Sequence, residues 1–267
     1  MTQQYISPPP PPPPLPVQYA LPGIPMYFTS ERRGRIVRAL LWTMIALDAA
    51  GVGVTLYQLG LPPDAFENDD VEVPLAFLLA LALWGLIYVG VFITTIVLVC
   101  MWMYRAHANL TALGRTNLDY TSGWAAGAWF VPFLNLVRPF RIMKEIWKGS
   151  DPSPPAQAGD VAWKFAPVPA MFGWWWATWL ISNFASNVSF RMELRGGASL
   201  AHQALYIDLL VAPISIACAW FLIRISRGID QMQASRWTGL SQYYAAGQQY
   251  AQPYPYAAAP PPPLPQY

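Results

Sequence analysis

Few side chains in this 267-residue chain could do chemistry, and most of those lie inside apolar runs. Asp48 sits near the middle of a run between Arg38 and Asp64 that carries no other charge. Asp208 is alone in the run between His202 and Arg224, and Ser182, Asn183, Ser186 and Asn187 give a third run a polar end. Ionisable groups among apolar neighbours are costly to bury; they mark ion, proton or substrate pathways, or they satisfy packing between helices. Asp48, Asn183 and Asp208 are therefore the candidate intramembrane polar residues, with Asp48 suited to proton or cation coupling. Asp208 lies near one end of its run, where reaching water is the commoner explanation. His107 and His202 lack ligand spacing, and Cys100 and Cys218 are each embedded in apolar sequence, so neither a metal site nor a disulfide is expected. No nucleophile elbow, phosphate-binding glycine loop or HExxH motif is present. The sequence supports no enzyme class and calls for no cofactor.

The elements that must hold these residues follow from where charge is missing. The chain is 55% hydrophobic and 11% charged, whereas soluble chains carry charge on roughly a quarter of their residues. A net charge of +2, with no basic run beside stacking aromatics, argues against a nucleic-acid binder. About 20 apolar residues make a helix long enough to cross a bilayer. Four such spans are expected, at about 37–60, 75–103, 167–189 and 203–224. The expected fold is all-α: a polytopic membrane helix bundle spanning residues 31–230. With the N-terminus inside, 14 of the 16 Lys and Arg residues are cytoplasmic, and only Arg191 and Arg195 lie outside. This asymmetry places both termini in the cytoplasm of a bacterial inner-membrane, multi-pass protein.

Residues 120–137 lack charge but contain Gly123, Gly127, Pro132 and Asn135. A fifth crossing there would split the basic residues evenly, so 120–148 is expected to be a re-entrant or interfacial helical segment. Pro139 suits a first helical turn. Beyond it Arg138, Arg141, Lys144 and Lys148 share one face, opposite Leu136, Phe140, Met143 and Trp147. Those four basic residues are candidate contacts for anionic lipid headgroups. Residues 1–30 and 231–267 read as disordered tails, rich in proline at the N-terminus and in proline and tyrosine at the C-terminus. Pro11–Pro16 and Pro260–Pro265 repeat one string, four prolines then Leu-Pro, which suits an aromatic-lined groove on a protein partner.

Residues 104–150 carry a more specific pattern. Tyr104-Arg105-Ala106-His107-Ala108-Asn109-Leu110 leads to Gly123-Trp124-Ala125, then Trp129-Phe130-Val131-Pro132. Asn135-Leu136-Val137-Arg138-Pro139 and Glu145-Ile146-Trp147 follow. This resembles the bacterial membrane family catalogued as domain of unknown function 4328, over roughly 36–230, with Phe140 replacing the tyrosine more often found there. The resemblance implies an integral membrane protein, supplies no catalytic residues, and makes Trp124, Trp129, Pro132, Asn135, Arg138, Pro139 and Trp147 the signature positions.

Two functions are expected from these features. One is a membrane-embedded scaffold or adaptor working through its tails; the other is a small transporter or ion pathway using Asp48 and the polar face of the third span. Within the signature, Asn135, Arg138 and Trp129 are expected to latch the broken segment, Asn135 bonding the turn and Arg138 reaching freed carbonyls or a lipid phosphate.

Overall fold

The structure is a computed structural model that describes residues 26–65, 72–152, 161–195 and 197–250. Its elements are α1 (Glu31–Leu59), α2 (Leu75–Ala112), α3 (Ser122–Gly127) and a 3₁₀ turn at Leu134–Leu136. Then come α4 (Arg138–Ser150), a second 3₁₀ turn at Ala162–Phe165, α5 (Met171–Arg195) and α6 (Gly197–Tyr250). The described residues contain helix and no strand.

Three of these helices, α1, α2 and α6, are long and apolar enough to cross a membrane. The expected span at 167–189 forms α5, which at 25 residues is roughly 37 Å long. Ser182, Asn183, Ser186 and Asn187 dilute its apolar character, which is why it falls outside that set. α5 lies antiparallel along α6. The Cys218 thiol faces the Trp175 carbonyl at 3.9 Å, and Ser189 Oγ donates to the Ala204 carbonyl at 3.4 Å. The two helices thus stay in step for most of the length of α5.

The helices adjoin in the order α5, α6, α1, α2. The fully buried large side chains, among them Trp102, Met103, Leu110, Ile142, Ile146, Trp175 and Ile229, gather where α4 meets α2, α5 and α6. The first half of α2 is the opposite: Leu75, Leu79, Leu83 and Leu86 are all exposed. Aliphatic surface of this extent is costly in water and stable against lipid chains.

Local sequence accounts for the ends of these helices. Gly114, at φ +76°, follows α2; its N–H bonds Thr111 O, and Arg115 N–H reaches back to Leu110 O, closing a Schellman motif. Pro139 stands in the first turn of α4 as its fixed φ favours. Pro213 lies inside α6, whose helical assignment continues through it.

Two boundaries differ from the sequence expectation. The segment 231–267 was expected to be tail from its start, yet α6 continues to Tyr250 because Gln233, Arg236 and Leu240 bury one face of it. Residues 26–30, expected within the N-terminal tail, pack down. Phe28 exchanges two hydrogen bonds with the Asn109 side chain, at 3.3 and 2.9 Å, and Tyr27 stacks on Trp237. The proline strings at 11–16 and 260–265 lie outside the described residues.

Candidate functional site

Asp48 of α1 accepts a hydrogen bond from the Tyr88 hydroxyl of α2 at 3.0 Å. Both border a cavity of about 640 Å³ that draws on all four long helices and on the broken segment after α3. Leu41 and Met44 line it from α1, Phe92 and Cys100 from α2, Trp175, Trp179, Asn183 and Asn187 from α5, and Ser215 and Cys218 from α6. Trp129, Phe130 and Asn135 line it from the broken segment. Its polar lining groups include Asp48, Tyr88, Ser186 and Asn187, and its apolar ones include the rings of Trp175 and Trp179. Asp48 is the one charged side chain in the lining among the described residues. Asn183 and Asn187 each donate to the carbonyl one turn earlier in α5, at 2.8 and 3.0 Å, a local bond that settles an amide in an apolar helix. Asp208 is half-buried and is not part of this lining. The structure therefore places Asp48 and Asn183 on one cavity, with Asp208 outside the lining but near Tyr88.

The signature segment is broken as its proline demands. α3 ends at Gly127, Pro132 is exposed, and Phe133 takes a left-handed φ of 63° before the 3₁₀ turn. The latch that holds it differs from the expected one. Trp176 of α5 donates from Nε1 to the Leu136 carbonyl at 3.2 Å, so the freed carbonyl is met by an indole. Trp129 donates to Met103 Sδ at 3.3 Å, and its ring packs edge-on against Trp179. Asn135 borders the cavity and makes no side-chain hydrogen bond among the described residues. Arg138 lies over the Trp124 ring at 4.2 Å and bonds no carbonyl of the break. The spacing of Asn135 and Arg138 is compatible with either arrangement; which side chain reaches the break depends on α5, which is distant in sequence.

Of the candidate headgroup contacts, Arg141 is exposed, Lys144 lies over the Phe140 ring at 5.0 Å, and Lys148 donates to the Lys164 carbonyl at 2.6 Å. Trp147 packs on Phe172 and against Gly228, where a Cβ would come within 2.7 Å of its ring.

A buried polar joint beside α4 was not expected. Asp230 of α6 accepts from Ser30 Oγ at 2.8 Å, Arg38 Nη1 at 2.6 Å and Trp102 Nε1 at 3.0 Å. Gln233 donates to the Ala106 carbonyl and Ser150, and accepts from Asn109. Arg236 donates to the Leu113 and Asp151 carbonyls. His107 sits between Ser122 and Glu145, and Glu145 also accepts the Asp119 N–H. The sequence signal for this joint was the three-residue spacing of Asp230, Gln233 and Arg236, which puts them along one helix face.

The fold and site define an all-helical chain whose long apolar helices surround a cavity with one carboxylate, closed on one side by a broken helical segment. This chain belongs to the family described as Domain of unknown function (DUF4328), whose family model matches residues 67–231. The match starts later than the resemblance at 36, so α1, which carries Asp48 and Arg38, lies outside it. No curated protein and no solved structure matches the chain.

Proposed function

We propose that this is a four-span protein of the bacterial inner membrane, with both termini cytoplasmic, that binds a lipophilic organic cation in the cavity between its helices. The antiparallel register of α5 with α6 supports the fourth span. If α6 crosses, α5 crosses beside it in the other direction, its polar residues turned to the cavity side rather than wasted on lipid. The excess of basic residues in the segments placed inside supports the orientation.

One observation carries the ligand class: a single carboxylate, Asp48, stands in a 640 Å³ cavity whose other lining groups are uncharged and include the indoles of Trp129, Trp175 and Trp179. The volume is that of a small-molecule site. A carboxylate and aromatic faces both attract a cation, and indole is the best such face. Apolar walls favour a bulky organic ion over a hydrated metal ion, which would keep its water. An adaptor role would instead rest on residues 1–25 and 251–267, which lie outside the described residues.

The test is equilibrium binding of tetraphenylphosphonium to the purified chain in nanodiscs, with tetraphenylborate as the anion of the same shape. Saturable binding of the cation that weakens about tenfold or more in Asp48→Asn is expected, the loss of one charge-assisted contact at low dielectric. Equal binding of both ions, or no effect of Asp48→Asn, would overturn the assignment.

A further inference from the structure

A second, smaller hollow of about 250 Å³ opens on the α4 side of the molecule, separate from the cavity. Arg141, Lys144 and Lys148 reach it from one face of α4, and Lys164 and Trp163 border it from the facing 3₁₀ turn. Two acids also border it, and both are already engaged. Glu145 accepts from the Asp119 N–H and pairs with His107, and Asp119 pairs with Lys164. Among the described residues, Arg141, Lys144 and Lys148 have no carboxylate within ion-pairing distance. Trp163 is 4% exposed, and its indole N–H has no hydrogen-bond partner among the described residues. A buried donor left without a partner is costly, and here it belongs to a side chain that borders a hollow rich in cations.

Two bare phenylalanines lie close in the chain to the residues that border the hollow. Phe165, next in the chain to Lys164, is 84% exposed, and Phe133, just before α4, is 83% exposed. Phenylalanine rings left this bare beside basic groups fit the level at which a bilayer gives way to its headgroups, where rings enter the acyl boundary and cations meet phosphate.

From this arrangement we infer that the hollow between α4 and the 162–165 turn is a binding site for a phosphate ester, presented by an anionic membrane lipid. Arg141, Lys144 and Lys148 supply the charge, Lys164 and Trp163 form the opposite wall, and Phe133 and Phe165 seat the site at headgroup depth. Arg138, engaged with Trp124, takes no part. The assignment is independent of what the cavity binds.

The experiment uses the full chain in nanodiscs of phosphatidylcholine, with or without phosphatidylglycerol, and reads melting temperature and the lipids retained in native mass spectra. Phosphatidylglycerol is expected to raise the melting temperature and to be retained. In the double variant Lys144→Gln/Lys148→Gln its affinity is expected to fall about tenfold or more, each cation near an anionic surface contributing on the order of 1 kcal/mol. Arg141→Gln, an exposed position whose change leaves packing intact, is expected to weaken retention in the same direction. Arg32→Gln/Arg33→Gln, on α1 and outside the hollow, is expected to leave retention unchanged. Equal losses in that control would reduce the effect to general surface charge and overturn the site. Glycerol 3-phosphate added to phosphatidylcholine discs separates the sources. Binding of the soluble ester with no preference for phosphatidylglycerol would overturn the lipid assignment, and binding of neither would overturn the site.

Discussion

Arg38 and Asp230 are 192 positions apart in the chain and meet at 2.6 Å in the joint between α1 and α6. Gly34, one helical turn before Arg38, brings the backbone of α1 against the same carboxylate; a Cβ there would collide with it. Ser30 and Trp102 complete the shell, so the acid is buried with three donors around it.

Removing that acid leaves Arg38 facing a buried gap. Asp230→Ala is expected to destabilise the protein by about 3–5 kcal/mol, the usual cost of breaking a buried pair from one side. Asp230→Asn costs less, because its carbonyl oxygen still accepts a bond. Thermal unfolding in detergent reads the difference, and matching melting curves for Asp230→Ala and the parent would contradict the expectation.

Gly34 and Gly53 offer a test in which helix propensity and packing give opposite signs at one of two sites on the same helix. Glycine to alanine inside a helix ordinarily gains roughly 0.5–1 kcal/mol. Nothing lies within 4 Å of a Cβ at Gly53, so Gly53→Ala should stabilise. At Gly34 the Asp230 carboxylate and Arg38 stand in the way, so Gly34→Ala should destabilise. Stabilisation by both substitutions would show that α1 does not approach α6 this closely.

The broken signature segment should depend on Trp176 more than on Asn135. Trp176→Phe removes the indole bond to the Leu136 carbonyl and is expected to cost about 1–3 kcal/mol for the acceptor left behind. Asn135→Leu, at a side chain with no hydrogen bond among the described residues, is expected to stay within about 0.5 kcal/mol of the parent. The reverse ranking in a melting series would restore Asn135 as the latch.

Tyr27 gives an alkaline signature. Burial first, and then the nearby Asp230 carboxylate, push its phenol up to about 12. Because the folded-state value lies above the usual value of about 10, folding favours the neutral phenol. Its contribution is complete below the unfolded value and fades as pH rises from there toward 12. Tyr27→Phe should flatten the stability profile over that window, measured by unfolding at stepped pH. An equally steep fall in the variant would assign the alkaline loss to other groups.

How much of this was legible in the sequence depends on the distance over which each feature is decided. The helices at 31–59 and 75–112 follow from uninterrupted apolar runs, a local property, as does the turn into α4 at Pro139. The break at Pro132 was legible for the same reason. Asp48 stood out because a lone charge in an apolar run is costly wherever it lies. Its partner Tyr88 did not, since a tyrosine in a long apolar helix has many uses. Trp176 was hidden among four indoles in six residues, of which only the fold decides which one meets Leu136. The end of α6 was missed because residues after 230 are polar enough to read as tail. Gln233 and Arg236 become buried only because the end of α2 and Asp151, just past α4, offer backbone carbonyls to them.

α6 runs from the cavity wall to the polar joint. It is one helix of 54 residues, with Ser215 and Cys218 in the cavity wall and Asp230, Gln233 and Arg236 in the polar joint. Pro213, lacking the amide that would brace its turn, is the natural pivot. Asp230 lies roughly 25 Å along the axis from that pivot, so a tilt of about 5° displaces it by roughly 2 Å. Hydrogen bonds of 2.6 to 3.0 Å do not survive such a shift intact. Either the arm of α6 after Pro213 stays still while the arm before it swings, or Arg38 and Asp230 let go. A ligand that widens the cavity beside Ser215 and Cys218, past Pro213, therefore works against the Arg38–Asp230 clasp.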